Sequence, residues 1–166
     1  MKSLEFTISP AKLSDRATFE NLIQLYLYDM ASQVPFKVEE DGKYEYGFLD
    51  EFWEHPYLLR VKGEIVGFAL VIEHCPITGK SPCWFMAEFF VLRYHRRKSI
   101  GQTAFYEILA RHPGQWHIGT LTSNVAASQF WSNAISPMIS EQVTARHDDM
   151  DWVIRSFMAP KETRFV

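Results

Sequence analysis

Cysteine is scarce in this sequence, since Cys75 and Cys83 are the only two in 166 residues. A disulfide-stabilised secreted scaffold needs more, and residues 1–10 show neither a long apolar run nor a cleavage-site pattern. No apolar run in the chain has the length of a membrane span. We therefore expect a cytoplasmic protein with reduced thiols and no membrane partner.

An excess of basic residues is also missing. The chain has 17 lysines and arginines against 20 acidic residues, and its net charge is -3. Proteins that bind nucleic acids or membrane surfaces usually present a net basic face. We expect neither of these partners, and instead a small molecule or a peptide.

Spacings typical of metal sites are absent as well. The two cysteines, with His74 and His95, form no Cys-x-x-Cys or His-x3-His pattern, so we predict no bound metal. The Gly-Lys-Ser/Thr end of a P-loop is missing too, which excludes that nucleotide-binding motif. With no repeat and 47% hydrophobic residues, the chain is expected to form one domain over residues 1–160, followed by a short tail at 161–166.

Hydrophobic periodicity divides the chain into strands and helices. Strands are predicted at residues 4–9, 57–61, 65–73, 84–92, 116–122, 141–146 and 152–158. A helix is predicted from Ser14, acting as N-cap, to about Ala31, with further helices at 48–54, from about Gly101 to Pro113, and from Asn124. This order predicts a mixed α/β fold with helices on both faces of a mostly antiparallel sheet of about seven strands.

The central feature is a buried strand that leads through a basic turn into a helix. The strand covers Trp84 to Leu92, and the turn contains Arg96, Arg97 and Lys98. A helix N-terminus has unpaired N–H groups and a partial positive charge, so with these side chains it suits a phosphate-bearing ligand. A solvated basic turn is the alternative.

At this turn and further along, the chain resembles the GNAT superfamily of N-acetyltransferases. The family signature Arg/Gln-x-x-Gly-x-Gly/Ala is similar to Arg96 through Gly101, with Ser99 at the position of the first glycine. A second family pattern, Asn-x-x-Ala-x-x-Phe/Leu-Tyr, is similar to Asn124 through Trp131, with tryptophan at the position of the tyrosine. The predicted order of elements is also the family's order.

The resemblance implies acetyl-CoA as cofactor and a direct transfer of the acetyl group to a primary amine in a ternary complex. Main-chain groups of Phe90 and Val91 would then pair with the pantetheine arm, as an added strand does. The remaining cofactor contacts would come from Arg96, Arg97, Lys98, Ser99, Ile100, Gly101, Asn124 and Phe130. The alternative function is an acyl-CoA-binding module without catalysis, which Ser99 and Trp131 motivate.

Glu88 is the acidic residue on the central strand, among apolar neighbours. If it faces the cleft, burial would raise its pKa and make it a general base for an ammonium substrate. A glutamate paired with a basic residue on a neighbouring strand is the other reading. Trp131 cannot act as the acid that the family's tyrosine provides, and we expect it to pack in the core.

Acceptor recognition is expected between Leu25 and Trp53, which by resemblance lines the mouth opposite the cofactor. Carboxylates and aromatic rings in this segment suit a cationic amine. The candidate residues are Tyr26, Asp29, Asp41 and Tyr44, with further aromatics at Tyr28, Tyr46 and Trp53. The sequence leaves open whether the chain forms a homodimer through its last hairpin.

Ser99 leaves two backbone conformations open. Glycine is favoured in a phosphate-binding turn where φ is positive or where a side chain would block the ligand. If Ser99 has a positive φ, the serine is strained by about 1 kcal/mol. If its φ is negative, its hydroxyl can add a hydrogen bond to phosphate. We expect the second conformation, within the first turn of the helix.

Overall fold

The computed structural model of the chain describes residues 5–161, which form one seven-stranded sheet and three α-helices. The predicted fold class is confirmed, with the strands in the order β1-β2-β3-β4-β5-β7-β6. Only β4 and β5 are parallel neighbours. The elements are β1 (Phe6–Pro10), α1 (Arg16–Met30), β2 (His55–Val61), β3 (Glu64–Ile72), β4 (Trp84–Val91), α2 (Ile100–Arg111), β5 (Gly114–Leu121), α3 (Val125–Ile135), β6 (Ser140–His147) and β7 (Met150–Ala159).

The sheet has an apolar core on each face, because the strands in its centre are apolar on both sides. On one face α1 packs through Phe19, Ile23 and Leu27. On the other face α2 and α3 contribute a second cluster, which includes Phe105 and Trp131. The helical patterns that the sequence shows in α1, α2 and α3 therefore mark the sides of these helices that face the core.

Two tight turns set the register of the hairpins. Lys62 and Gly63 both have positive φ between β2 and β3, and Asp148 and Asp149 do so between β6 and β7. Two consecutive residues with positive φ match the right-handed twist of a hairpin. Both predicted hairpins are therefore present, with Asp148-Asp149 at the second turn as expected.

Two predicted helix features are wrong. Ser14 is not the N-cap of α1, because it lies inside a short 3-10 turn, Leu13–Asp15, that precedes the α-helix. Residues 48–54 form a turn with one helical hydrogen bond, Phe52 N to Phe48 O, and not a helix. The periodic apolar residues there, Leu49 and Phe52, are buried, so their spacing reflects packing of a single turn.

Gly119 in β5 permits close approach of side chains. A Cβ at this position would lie 2.7 Å from Cδ1 of Ile77, and the pairing of β5 with β7 continues past it without a bulge. Of the predicted tail, residues 162–166 lie outside the described part of the chain, as does the predicted start of the first strand at Leu4. Among the described residues, no helix is long and apolar enough to cross a membrane.

Candidate active site

The parallel strands β4 and β5 diverge and leave a gap in the middle of the sheet. They pair only at Trp84 with Trp116 and at Phe85 with His117, although β4 continues to Val91 and β5 to Leu121. The main-chain groups that face this gap have no strand partner across it. The β4–β5 gap, between residues 86–91 and 118–121, can therefore accept an extended ligand by strand-like hydrogen bonds.

A bulge in β4 controls which side chains face each side of the sheet. Leu70 of β3 pairs with Glu88, but the next residue, Val71, pairs with Met86, so Ala87 is an extra residue. As a result Phe85 and Phe90 belong to the same core cluster, although they are five positions apart and a regular strand would place them on opposite faces. The bulge places Glu88 on the α1 face, beneath α1 and the segment that follows it.

The prediction that main-chain groups of Phe90 pair with the pantetheine arm is wrong, because these groups face β3. Its carbonyl oxygen points at β3, since a Cβ on Gly67 would lie only 2.1 Å from it. Neighbouring residues in an antiparallel strand direct their main-chain groups to opposite sides, so Phe89 and Val91 face the gap. The Val91 carbonyl already accepts a hydrogen bond from Arg96 Nε at 2.8 Å. The main-chain groups left for a ligand are therefore those of Phe89 and the Val91 N–H.

The basic turn between β4 and α2 contains two residues in the left-handed region. Arg97 has a φ of 57° and Ser99 has a φ of 60°. Ser99 is the N-cap of α2, and its side chain makes no capping hydrogen bond. Our expectation of a negative φ at Ser99 is therefore wrong, and the serine has the conformation for which the family uses glycine. In such a turn, which leads directly into the N-terminus of α2, successive main-chain N–H groups point to the same side.

Asp29 holds this turn against the end of α1. Its carboxylate accepts hydrogen bonds from Arg93 Nε and from the Arg96 guanidinium, each at 2.7 Å. These two arginines hold the pKa of Asp29 below its ordinary value, although partial burial acts in the opposite direction and is the largest single influence. Asp29 was predicted to bind the acceptor, but the structure gives its carboxylate to the basic turn. The ion pair of Arg93 with Asp29 is a contact of this turn that the motif did not indicate.

The residues that follow Ser99 are arranged around the ring of Phe130. Ile100 is buried in the core, while Gly101 allows Phe130 to approach, since a Cβ there would lie 3.2 Å from two ring carbons. Phe130 in turn stacks on Phe89, with ring centroids 5.9 Å apart and an angle of 17° between the planes. The second glycine position of the motif therefore serves helix packing beside the gap. Arg97 and Lys98 are exposed, and the Lys98 ammonium lies 4.0 Å from the centroid of Tyr94.

Asn124 and Trp131 have structural explanations. Asn124 is the N-cap of α3, and its Oδ1 accepts a hydrogen bond from Ala127 N at 3.1 Å. It also lines a shallow cavity of about 260 Å³ beside the basic turn, together with Asp29, Met30, Ser32, Gln33, Arg93, Arg96 and Ala126. Trp131 is buried against Phe89 and Phe105, as its predicted core role requires.

Glu88 lies on the face of the sheet opposite to α2 and α3, where it contacts two tyrosines. The hydroxyl of Tyr46 donates a hydrogen bond to Glu88 Oε1 at 3.0 Å, and the hydroxyl of Tyr26 also interacts with this carboxyl. Burial raises the pKa of Glu88 to about 7, although the two hydroxyls act in the opposite direction. Among the described residues no lysine or arginine pairs with it, so the reading as a paired glutamate is not supported.

The remaining predicted acceptor residues are placed differently. Tyr26 contacts Glu88 from α1, as described. Tyr44 is joined to α1 through main-chain hydrogen bonds with the Gln24 side chain, at 2.8 and 2.9 Å. Asp41 lies in an exposed turn, where its carboxylate accepts a hydrogen bond from Lys43 N. Tyr46 was seen in the sequence only as one aromatic among several, and nothing in the local pattern marked it as the partner of Glu88.

Comparisons with known proteins agree with this architecture. Residues 24–134 match the acetyltransferase (GNAT) family. An acetyltransferase of this family from Streptococcus agalactiae has a similar structure, with a TM-score of 0.70, 13% identity, and coverage of 94% of this chain and 96% of that one. Spermidine N-acetyltransferase from Vibrio cholerae, in complex with CoA and spermine, gives a TM-score of 0.62 at 13% identity, with coverage of 95% and 97%.

A putative acetyltransferase from Salmonella typhimurium, solved with its cofactor acetyl-CoA, gives a TM-score of 0.60 at 14% identity, covering 95% of this chain and 96% of that one. At such identities the likeness concerns the fold. A comparison with curated protein sequences finds no match.

Proposed function

Because the chain belongs to the acetyltransferase (GNAT) family, we propose that it transfers an acetyl group from acetyl-CoA to a primary amine, by direct transfer within a ternary complex. One observation carries this proposal. The β4–β5 gap has the basic turn at one end and the partly buried carboxyl of Glu88 on the α1 face. The family match supports acetyl transfer, and the positions of these two groups support the roles that we propose for them.

In this proposal the pyrophosphate of the cofactor binds the main-chain N–H groups of residues 97–101. Arg97 and Lys98 add positive charge, and the N-terminus of α2 contributes its partial charge. The pantetheine arm enters the gap and pairs with the main chain of Phe89 and the Val91 N–H. The acetyl-CoA complex of the Salmonella protein supports such a use of the shared fold.

Glu88 acts as the general base. An ammonium substrate has a pKa of about 10 and must lose a proton before its nitrogen can attack the thioester carbonyl. A carboxyl with a pKa of about 7 is ionised often enough at neutral pH and is a stronger base than an ordinary glutamate. The nitrogen then bonds to the acetyl carbon, the C–S bond breaks, and the second proton that the nitrogen loses passes through water to the thiolate. Trp131 plays no part in that last step, since an indole N–H is too weak an acid.

We propose a cationic primary amine, free or on a peptide, as the acceptor. The charge of Glu88 and the faces of Tyr26 and Tyr46 favour a cation on this side of the gap. Spermine in the Vibrio complex shows that one protein of similar fold accommodates such a molecule. Asp41 and Tyr44 remain predicted contacts for the distal part of a longer acceptor.

Glu88→Gln tests the assignment, with Glu64→Gln in the exposed hairpin turn as the matched control. Loss of a general base should lower kcat about 100-fold or more, with little change in the KM for acetyl-CoA. The loss should be largest between about pH 7 and 9, where Glu88 is ionised but an amine still carries its proton. Unchanged turnover across this range would remove Glu88 from the mechanism.

The second candidate is an acyl-CoA-binding module without catalysis, favoured by the strained Ser99 and by Trp131 in place of the tyrosine. Both candidates require CoA binding. Thiol release from acetyl-CoA, measured with polyamines, aminoglycosides, amino acids and peptides, distinguishes them. Binding of CoA without turnover on any of these acceptors would favour the module.

We further propose a homodimer through β6, the edge strand of the sheet. Both faces of β6 are largely exposed, including Val143 at 53% of its surface. In an antiparallel pair centred between Val143 and Thr144, Glu141 of one copy would lie opposite Arg146 of the other, which favours pairing. Light scattering of the wild type and of Val143→Lys tests this, and a monomeric wild type would refute it.

A cytoplasmic location remains our expectation, to be tested by imaging the tagged chain.

A further inference from the structure

Two Glu-His dipeptides meet at one end of the β2–β3 hairpin. Glu54 and His55 stand at the start of β2, and Glu73 and His74 directly follow β3. The strands are antiparallel, with His55 opposite Val71, so these ends lie side by side. In the sequence the two pairs are 19 positions apart, and neither has the spacing of a known metal motif.

The side chains of the two dipeptides cross between the strands. His55 Nε2 lies 3.0 Å from Glu73 Oε1, and His74 Nδ1 lies 3.8 Å from Glu54 Oε1. Ligand atoms of Glu54, His55 and Glu73 all lie within 4.8 Å of one another. A main-chain hydrogen bond from Glu73 N to Glu54 Oε2, at 2.9 Å, orients one carboxylate toward the other strand. Glu54, His55 and Glu73 therefore offer three converging ligand atoms, and His74 lies beside Glu54 as a fourth candidate ligand.

The charge of this cluster is unbalanced. A third carboxylate, from Glu51, lies 3.9 Å from His74 Nε2. Within the described part of the chain, no lysine or arginine forms an ion pair with Glu51, Glu54 or Glu73. Three neighbouring carboxylates repel one another, and no lysine or arginine among the described residues offsets that repulsion. A bound cation would do so.

We propose that Glu54, His55, Glu73 and His74 form a binding site for a divalent transition metal, with zinc as the best match. Mixed imidazole and carboxylate ligands are typical of zinc, whereas magnesium and calcium select oxygen ligands. Tetrahedral ligands at about 2.1 Å from a metal are about 3.4 Å apart. The ligand atoms of Glu54, His55 and Glu73 lie within 4.8 Å of one another, and the carboxylates of Glu54 and Glu73 are exposed, so these side chains can move to that spacing. This inference revises the expectation of no metal that the sequence alone gave.

The proposed site is separate from the transfer chemistry. The C-terminal end of β3 lies beside the N-terminal end of β4, since Ile72 pairs with Phe85, and the basic turn is at the other end of β4. A metal here would join the segment before β2 to the end of β3. It would therefore stabilise the fold without contacting either substrate.

Isothermal titration of the whole metal-free chain with zinc chloride tests the proposal, with magnesium chloride as the comparison. We expect one zinc ion per chain and no heat from magnesium. Glu73→Gln and His55→Gln should each weaken zinc binding about tenfold or more. His147→Gln is the control, because it removes a histidine that faces a carboxylate at 3.3 Å in the exposed β6–β7 turn. It should leave zinc affinity unchanged.

A second measurement uses cobalt(II), whose visible absorption reports tetrahedral coordination by nitrogen and oxygen. The wild type should show this absorption, and Glu73→Gln should lose it while keeping a native circular dichroism spectrum. Zinc should also raise the Tm of the wild type but not that of Glu73→Gln. The proposal is overturned by an absence of saturable zinc binding, or by equal zinc affinity in the wild type and both site variants.

Discussion

Replacement of Glu88 by glutamine should stabilise the protein at neutral and alkaline pH. Burial raises the pKa of Glu88 from 4.5 to about 7, so folding favours the protonated carboxyl. For a carboxyl with a raised pKa, the stabilising effect of the neutral form is present below pH 4.5 and is lost as the pH rises to about 7. Glutamine resembles the neutral carboxyl and keeps an oxygen that accepts from Tyr46.

The expected gain in the stability of Glu88→Gln follows from the rise in the pKa of Glu88. A rise of the pKa from 4.5 to about 7 corresponds to an upper limit of about 3.5 kcal/mol, at roughly 1.4 kcal/mol per unit. Solvent still reaches part of Glu88, and the variant loses an interaction between charge and hydroxyl. We therefore expect a gain of about 1–2 kcal/mol in the free energy of unfolding at pH 8, and no gain at pH 4.

Urea unfolding of the wild type, Glu88→Gln and the control Glu64→Gln at half-unit steps from pH 4 to 9 would measure this difference. The wild type and Glu64→Gln should give parallel curves. The curve of Glu88→Gln should separate from them between pH 4.5 and 7. A difference that is constant with pH, or a loss of stability at pH 8, would refute the raised pKa.

Three further outcomes follow from the basic turn. Ser99→Gly removes the left-handed strain of about 1 kcal/mol, although the greater entropy of the unfolded glycine chain offsets part of this gain. The variant should bind CoA more tightly in calorimetry. The control is Lys62→Gly, at a similar φ of 51° in the first hairpin, which should change stability but not CoA binding. Asp29→Asn should raise the KM for acetyl-CoA more than that for the amine, because it releases Arg93 and Arg96; the reverse order in steady-state kinetics would restore Asp29 as an acceptor ligand. Gly101→Ala should leave Tm unchanged or slightly lower, because the new methyl, 3.2 Å from two ring carbons of Phe130, offsets the helix propensity that alanine adds; a rise of several degrees would contradict that packing.

Much of the fold could be predicted from the sequence, because periodicity and turn residues act locally. The hairpins at Lys62-Gly63 and Asp148-Asp149, the amphipathic helices and the strand before the basic turn all depend on neighbouring residues. Residues 48–54 were the exception. Apolar spacing predicts burial of one side, but it does not distinguish a single turn from a helix when the segment is that short.

The sequence by itself determined that a basic turn follows a buried strand, and that a lone glutamate lies on that strand. The tertiary structure decided which groups are free to act. The bulge at Ala87 sets the face of Glu88, and the alternation of main-chain groups assigns Phe89, and not Phe90, to the gap. Asp29 and the two Glu-His dipeptides obtain their partners from elements far along the chain. Such contacts depend on strand register and helix position, which no local pattern specifies.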